Sequence, residues 1–476
     1  MLEIVSHQKL KYFLNLHENN WQHIYSFGRI ISKCLESTEN YLINSEVFLL
    51  NIWFESLLIS LFLNKKDSIM ILSSYKISIL KDNHLKNLKK FGFHFSLVNN
   101  EIIFSDHKIS LWTLDQLINK VNSSSIHNQR IIFTGIENLK FDLRKILRIT
   151  LSKRNWLTLE KNVPHSNNEP IQIYNQLKEQ FFSRAIPDKK YVFLDQNDLD
   201  LLTTFFLLNS NFSNEFLNVN NALAKGWSCW VALDYDNFEW ILNVEPLDEL
   251  YEIKNLLIQN NFIFLSAFRK DYFFQKFLKK YGVDIDLAIQ FKSNYVERNI
   301  FISPSSRKDF PNNPSFVKNT VEYCKRLVLL NNDFTLILSN DINLKHILAT
   351  ELASQYGRRV FLETLPKKKH SILCSSYDWW IQNICYGEIP KLIILPLLPI
   401  PNISEPIVEI IVSHKRRLSE DWFRDYLLPE TFETIEKSVS ILRRNSGKLV
   451  ILDPRIKYRK WGRDLLSLIQ PSTILN

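Results

Sequence analysis

Between Ile411 and Arg463 the sequence carries thirteen Lys and Arg against seven acids, and this excess of six sits in a chain whose formal net charge is +9. The stretch from Asp421 to Leu466 holds the densest part, ending in Arg455, Lys457, Arg459, Lys460 and Arg463. Cations at that density suit a polyanion-binding surface, since each can neutralise a phosphate. The alternative is a solvated basic face on a domain edge. Other side chains with chemical potential are more dispersed. Asp234 and Asp236 in LDYDNF could hold a metal or simply form a solvated turn. Trp227 and Trp230 in GWSCW could stack bases or pack a strand face. Five cysteines, Cys34, Cys229, Cys324, Cys374 and Cys385, form no CxxC pair and have no His at ligand spacing. That pattern argues against zinc and against a cysteine-held iron-sulfur cluster, and fits reduced thiols in a cytoplasmic protein. No GxSxG or HExxH is present. With only nine glycines, few loops can let backbone N–H groups close on a phosphate.

The elements that must position these residues follow from periodicity. Length predicts two or three domains, and 45% hydrophobic with 23% charged residues describes a folded globular chain of 476 residues. A pI near 9.0 favours a nucleic-acid partner over a membrane surface. The N-terminus lacks the apolar core of a secretory signal. Val47 to Leu63 is apolar enough to weigh as a membrane span, but Asn51 and Glu55 would lie near its middle, so a buried helix is expected. Around it, a helix over Trp21 to Leu35 and strands at Asn40 to Asn44, Asp67 to Ser73, Phe93 to Val98, Glu101 to Phe104 and Arg130 to Phe133 predict a parallel sheet covered on both faces. Beyond the polar segment Lys161 to Pro170 come helices over Ile171 to Ala185 and Leu199 to Phe216, a strand pair at Gly226 to Leu233 and Glu239 to Leu242, and a strand at Ile263 to Ala267. Ser303 to Phe316, dense in Pro, Ser and Asn, reads as the main linker. The alternation then restarts: helix Val317 to Leu330, strand Thr335 to Ser339, helix Asn343 to Tyr356, strand Arg359 to Leu362, helix Tyr377 to Ile384 and strand Lys391 to Leu395. In the last stretch a helix follows Leu427-Leu428-Pro429-Glu430, a turn falls at Asn445-Ser446-Gly447, and a strand covers Leu449 to Leu452.

An ordered set of segments in the second half carries a family resemblance: FTLILSN (Phe334 to Asn340), SSYDWW (Ser375 to Trp380), KLIILPLLPIP (Lys391 to Pro401), WFRDYLLPE (Trp422 to Glu430) and GKLVILDPRI with YRKWGRDLL (Gly447 to Leu466). They resemble the C-terminal helicase domain of DinG/XPD-type superfamily 2 DNA helicases, and the layout is similar to a short, cyanobacterial-type subgroup of DinG-like proteins. In the first half, Arg130 to Leu147 lies where such helicases place their Asp-Glu-Ala-His strand end, and Ile263 to Phe268 where they place a Ser-Ala-Thr. The resemblance implies an α/β fold of two RecA-like domains, parallel sheets covered by helices, with a small insertion in the first. The expected ranges are 1–160 for the first part of the N-terminal domain, 161–225 for a mainly helical insertion, 226–294 for the remainder, and 295–476 for the C-terminal domain.

The resemblance also implies ATP and magnesium as cofactors and single-stranded or forked DNA as partner, with RNA or a protein as alternatives and no membrane. The motor chemistry needs a glycine-rich loop with lysine for the phosphates, an acid pair for the metal and water, and arginines from the second domain. Each of these is degenerate here. The loop position, Glu46 to Ile52, reads EVFLLNI, without glycine or lysine. At the acid pair the strand ends Thr134-Gly135-Ile136-Glu137, with Thr134 in place of the metal-binding Asp and Gly135 in place of the Glu. Trp380 is kept from the Trp-Glu-Gly motif, near the interdomain cleft in relatives, but Ile381 and Gln382 follow it. In Lys437 to Arg444 only Arg444 occupies a family arginine position, where it could touch an ATP phosphate, and Ile441 replaces the first arginine. The expectation is a DinG-like, nucleic-acid-binding protein that has lost its ATPase motor, with Trp380, Arg455, Lys457, Arg459, Lys460 and Arg463 on the nucleic acid. A divergent but active DNA-dependent ATPase, or a protein-interaction scaffold on the same fold, are the alternatives.

Overall fold

The computed structural model describes all residues except 1, 17–20, 22, 46–47, 49–51, 124–125, 127–128, 164–168, 187–188, 210–212, 268–277, 292–299, 305–308, 367, 385–387, 445 and 476, and the side chains of 15, 16 and 121–123. The first sheet has eight strands in the order Leu287–Gln290, Tyr41–Asn44, Asn261–Ser266, Arg130–Thr134, Ser68–Ile71, Lys108–Trp112, Glu101–Ile103 and Ser96–Val98. The first six pair in parallel, and the last two add an antiparallel edge. Tyr41–Asn44 and Ser68–Ile71 are buried along their whole length, which is why they read as short unbroken apolar runs.

Helix Phe54–Asn64 takes in the later part of the run weighed above as a membrane span. Its buried serines explain why it belongs to a protein core. The Ser56 hydroxyl donates to the Ile24 carbonyl (3.0 Å) and Ser60 to that of Gly28 (3.2 Å), both on helix Ile24–Glu36. The helices approach so closely that a Cβ on Gly28 would lie 2.7 Å from Ser56 Oγ. Among the described residues no helix is long and apolar enough to cross a membrane.

The second sheet is wholly parallel and seven-stranded, in the order Val360–Leu362, Ile372–Ser375, Thr335–Leu338, Leu392–Leu395, Lys448–Ile451, Ile300–Pro304 and Ser472–Ile474. Ile300–Pro304 takes in the first residues of the expected linker, since Ser303 pairs with Val450. One contiguous apolar cluster contains residues of both sheets, among them Met70 and Ile132 from the first and Leu336 and Ile393 from the second.

Both parallel sheets lie in one compact unit, residues 1–138, 255–400 and 427–476. A second unit comprises residues 139–254 and 401–426. Its four-stranded antiparallel sheet runs Ile149–Leu151, Glu239–Glu245, Ser228–Asp234 and Tyr191–Phe193. The strand pair expected at Gly226 to Leu233 and Glu239 to Leu242 forms the middle of this sheet. Val231, Leu233, Trp240 and Leu242 pack on Trp156, Tyr174 and Phe181 rather than entering the parallel sheet. The stretch read as one helix over Leu199 to Phe216 forms two, Gln196–Asn209 and Asn214–Ala224, whose Phe205, Phe206 and Phe216 surround the Trp156 ring.

Candidate functional site

In a nucleotide-binding domain of this architecture the phosphate loop would follow the strand Tyr41–Asn44. Of the expected position, Glu46 to Ile52, residues 46, 47 and 49–51 lie outside the described set. Phe48 is described, and it is 2% exposed. Its ring meets those of Phe27 (5.5 Å between centroids), Trp53 (5.2 Å) and Trp21 (6.5 Å), and Phe291 closes the group against Trp21 at 5.7 Å. Trp53 then stacks on Phe54 at 4.1 Å, where the helix Phe54–Asn64 begins. A bound phosphate needs a small-residue loop whose N–H groups point at the anion. Among the described residues, this corner is lined by bulky rings.

At the acid position, Thr134 turns its hydroxyl to the Ile71 carbonyl (2.9 Å), and Gly135 takes φ 73° to make the bend. The Glu137 carboxylate accepts the N–H of Ala267 (3.2 Å), at the end of the adjacent strand Asn261–Ser266. A Cβ on Gly135 would lie 3.7 Å from Glu137 Oε1 and 3.8 Å from the Lys76 ammonium. From the second domain, the Lys437 ammonium donates to the Glu137 main-chain carbonyl and to the Glu433 carboxylate. Among the described residues of the bend itself, Glu137 supplies the carboxylate. Among the described residues no group of three or more His, Cys, Asp or Glu could hold a metal ion.

Helix Leu428–Val439 and the turn Ser440–Arg444 form the segment aligned with the family's arginine motif. Ile441 is core, while the buried Arg443 donates to the Ile469 (3.1 Å) and Gln470 (3.0 Å) carbonyls. Arg443 thus anchors the chain end. Arg444, the expected phosphate contact, is half-buried at the end of that turn. Trp380, expected on nucleic acid, is fully buried, and its indole N–H donates to the Ser438 carbonyl (3.1 Å). Its ring offers no face to a base, because it packs helix Tyr377–Asn383 into the core.

The basic residues of the last segment do not share one role. Strand Lys448–Ile451 leads to Asp453, which is completely buried and accepts the Leu398 N–H (3.0 Å). Its carboxylate also binds Arg455 through the main-chain N–H (2.9 Å), Nε (3.0 Å) and a terminal guanidinium nitrogen (2.6 Å). Arg455 is committed to that ion pair. Lys457, Arg459, Lys460 and Arg463 are exposed and form no ion pair with any described residue. They sit on helix Arg455–Tyr458, the bend after it and helix Gly462–Leu468. The bend is tight enough that a Cβ on Gly462 would lie 1.8 Å from the Ile456 carbonyl oxygen. Among these cations Tyr458 is 39% exposed, with its ring 6.2 Å from that of Phe310. Charge counting passed over Tyr458; the usable signal was an aromatic inside a basic run, the composition of single-strand binding surfaces.

Lys415, Arg416, Arg417 and Arg424, counted in the same basic run, belong to the other unit. There Lys415 pairs with Glu420 (2.5 Å), and the Arg416 guanidinium lies over Trp422 at 4.9 Å. The remaining candidates are structural in their surroundings. Asp234 accepts the N–H groups of Asp236 (3.0 Å) and Asn237 (3.2 Å), and the Asn237 side chain holds its carboxyl below the usual range. Trp230 is buried, and Trp227 donates its indole N–H to Glu252 (3.0 Å).

Comparison with solved structures places this architecture. The chain superposes on an XPD helicase with a TM-score of 0.61 at 11% identity, covering 96% of this chain and 100% of that one. The S. tokodaii Xpd4 structure gives 0.61 at 14% identity, over 96% and 100%. A structure of XPD in its apo form gives 0.59 at 14% identity, over 94% and 99%. No family model matches the sequence, and no curated protein matches it. The likeness is one of fold: the chain has the two-domain α/β fold of these XPD helicase structures.

Proposed function

We propose that this helicase-fold chain is a cytoplasmic nucleic-acid-binding protein, taking single-stranded or forked DNA, whose ATPase motor has been lost. The observation that carries the reading is the aromatic cluster of Phe48, Trp53, Trp21, Phe27 and Phe291 beside the strand end where a phosphate loop would lie. ATP and magnesium, the ligands this fold implies, would also lack the second carboxylate at Thr134-Gly135, leaving Arg444 as the one arginine in a family position. Nucleic-acid binding rests on different residues. Lys457, Arg459, Lys460 and Arg463 are exposed cations on a short scaffold, and Tyr458 among them can stack on an unpaired base.

The test has two arms. A fluorescein-labelled single strand, DNA in one series and RNA in another, is titrated with protein between 50 and 200 mM salt. Affinity falls steeply with salt, and replacing Arg459, Lys460 and Arg463 together by Ala lowers the log–log slope by about 0.7 per lost contact. Binding that is absent or indifferent to salt sinks the nucleic-acid reading. In the second arm, phosphate release from Mg-ATP stays at background with and without DNA, and Arg444→Ala matches the wild type. DNA-stimulated release that Arg444→Ala abolishes would establish a divergent motor instead.

A further inference from the structure

Lys437 opens the segment aligned with the arginine motif, yet its own contacts are with protein groups on both sides. It lies on helix Leu428–Val439, which is fixed to the second domain by the hydrogen bond from Trp380 to Ser438 and by Ile435 and Val439 in the core. Its ammonium, on a side chain only 14% exposed, reaches the first domain and donates to the main-chain carbonyl of Glu137, while Glu433 one helical turn earlier accepts a second bond. The Glu137 carboxylate takes the Ala267 N–H at the neighbouring strand end. A continuous path of hydrogen bonds, Glu433 to Lys437 to Glu137 to Ala267, thus ties one helix of the second domain to two adjacent strand ends of the first. The place it bridges is the bend after strand Arg130–Thr134, where the fold's acid pair would hold a metal.

We infer that Lys437 is a built-in cross-bridge, holding the two sheet domains of this unit together without any nucleotide. An ammonium carries three donors and a full charge, so one side chain can satisfy a carbonyl and a carboxylate from opposite sides of the cleft. Glu433 sets the lysine's direction from the same helix, which makes the contact independent of any diffusible ligand. Here the bridging charge is covalently part of the chain and is always present. The inference rests on the reading that no nucleotide occupies the cleft, and it predicts that closure does not depend on ATP.

Hydrogen exchange on the full-length chain tests both statements separately. Lys437→Met keeps the aliphatic stem and removes the ammonium, and Lys437→Arg restores a cation. In the wild type, exchange at Gly135 to Asn138 and at Ala267 is slow and unchanged by Mg-ATP. Lys437→Met raises exchange at those amides at least tenfold while the strands inside each sheet keep their protection, and Lys437→Arg returns it towards wild type. Wild-type exchange in Lys437→Met overturns the bridge, as does a rise spread evenly over both sheets, which would mark Lys437 as a general stabiliser. Slower exchange in the wild type on adding Mg-ATP would overturn the nucleotide-free reading and leave the Lys437→Met comparison to stand or fall alone. Should Lys437→Met fail to fold, Glu433→Gln removes the residue that aims the lysine, and it must raise exchange at the same amides for the inference to hold.

Discussion

Arg455 and Arg459 are four residues apart in a basic run, yet their surroundings give them different duties. Asp453 is fully buried, and Arg455 supplies the cation that its carboxylate pairs with among the described residues. Removing one partner of such a pair leaves an uncompensated charge in the core. Arg455→Ala is therefore expected to lower stability by about 3 kcal/mol in urea unfolding, in line with other broken buried pairs, with little effect on the salt dependence of binding. Arg459→Ala should do the reverse, keeping the unfolding midpoint while shifting the salt slope. Equal behaviour of the two variants in both measurements would remove the distinction. Sequence alone grouped these residues because charge is visible in it and burial is not. Trp380 was misplaced for the same reason: an aromatic at a motif position reads alike whether it faces a ligand or the core.

Among the elements, helix Pro406–Arg417 is the one whose role least resembles its sequence. It read as part of a basic run, but its working residue is an acid. Glu409 binds the Lys189 ammonium with both oxygens (2.9 and 2.8 Å) and accepts the Tyr191 hydroxyl, on the edge strand Tyr191–Phe193. Burial pushes the Glu409 carboxyl up, and the hydrogen bonds from Lys189 and Tyr191 outweigh it, so the group is held below its ordinary 4.5. A carboxyl depressed by folding contributes stability above its unfolded value and loses it as pH falls through the folded one. Glu409→Gln should then cost about 1 kcal/mol at pH 7, the scale of a half-exposed pair. The gap to the wild type in thermal or urea unfolding should close as pH drops below 4.5, and a gap constant down to pH 3 would contradict it. Elements built on local pattern were legible: Thr335–Leu338, Ile342–Tyr356, Leu392–Leu395 and Lys448–Ile451 fall within a residue or two of their expected bounds. Ile372–Ser375 was not foreseen, being four residues long behind a run of lysines. The hairpin Ser228–Asp234 with Glu239–Glu245 was legible as a strand pair, but its sheet was not, because which sheet a strand joins depends on distant partners.

At the scale of the whole molecule, the two-domain helicase fold was readable from the order of motifs in the second half, while the division into units was not. The second unit draws 139–254 from the first domain's stretch of chain and 401–426 from the second's. A ligand that binds only the native state raises the melting temperature, by an amount that grows with the logarithm of its concentration above Kd. Mg-ATP at millimolar concentration should leave the melting temperature of the full chain unchanged. A single-stranded oligonucleotide should raise it in 50 mM salt and not in 500 mM, where phosphate contacts are screened. A clear upward shift with Mg-ATP would reopen the motor reading.

The two-excursion construction of the second unit also has a consequence in time. Lys189 and its partner Glu409 are 220 residues apart. At a ribosomal rate of ~5–20 residues per second, the strand Tyr191–Phe193 would wait roughly 10–40 s for the helix that covers it. During that interval Lys189 and Tyr191 lie on an uncovered sheet edge, the kind of surface that pairs with other chains. The lysines at 189 and 190 would put charge on that edge when it is most exposed, before one of them becomes an ion-pair partner in the finished fold.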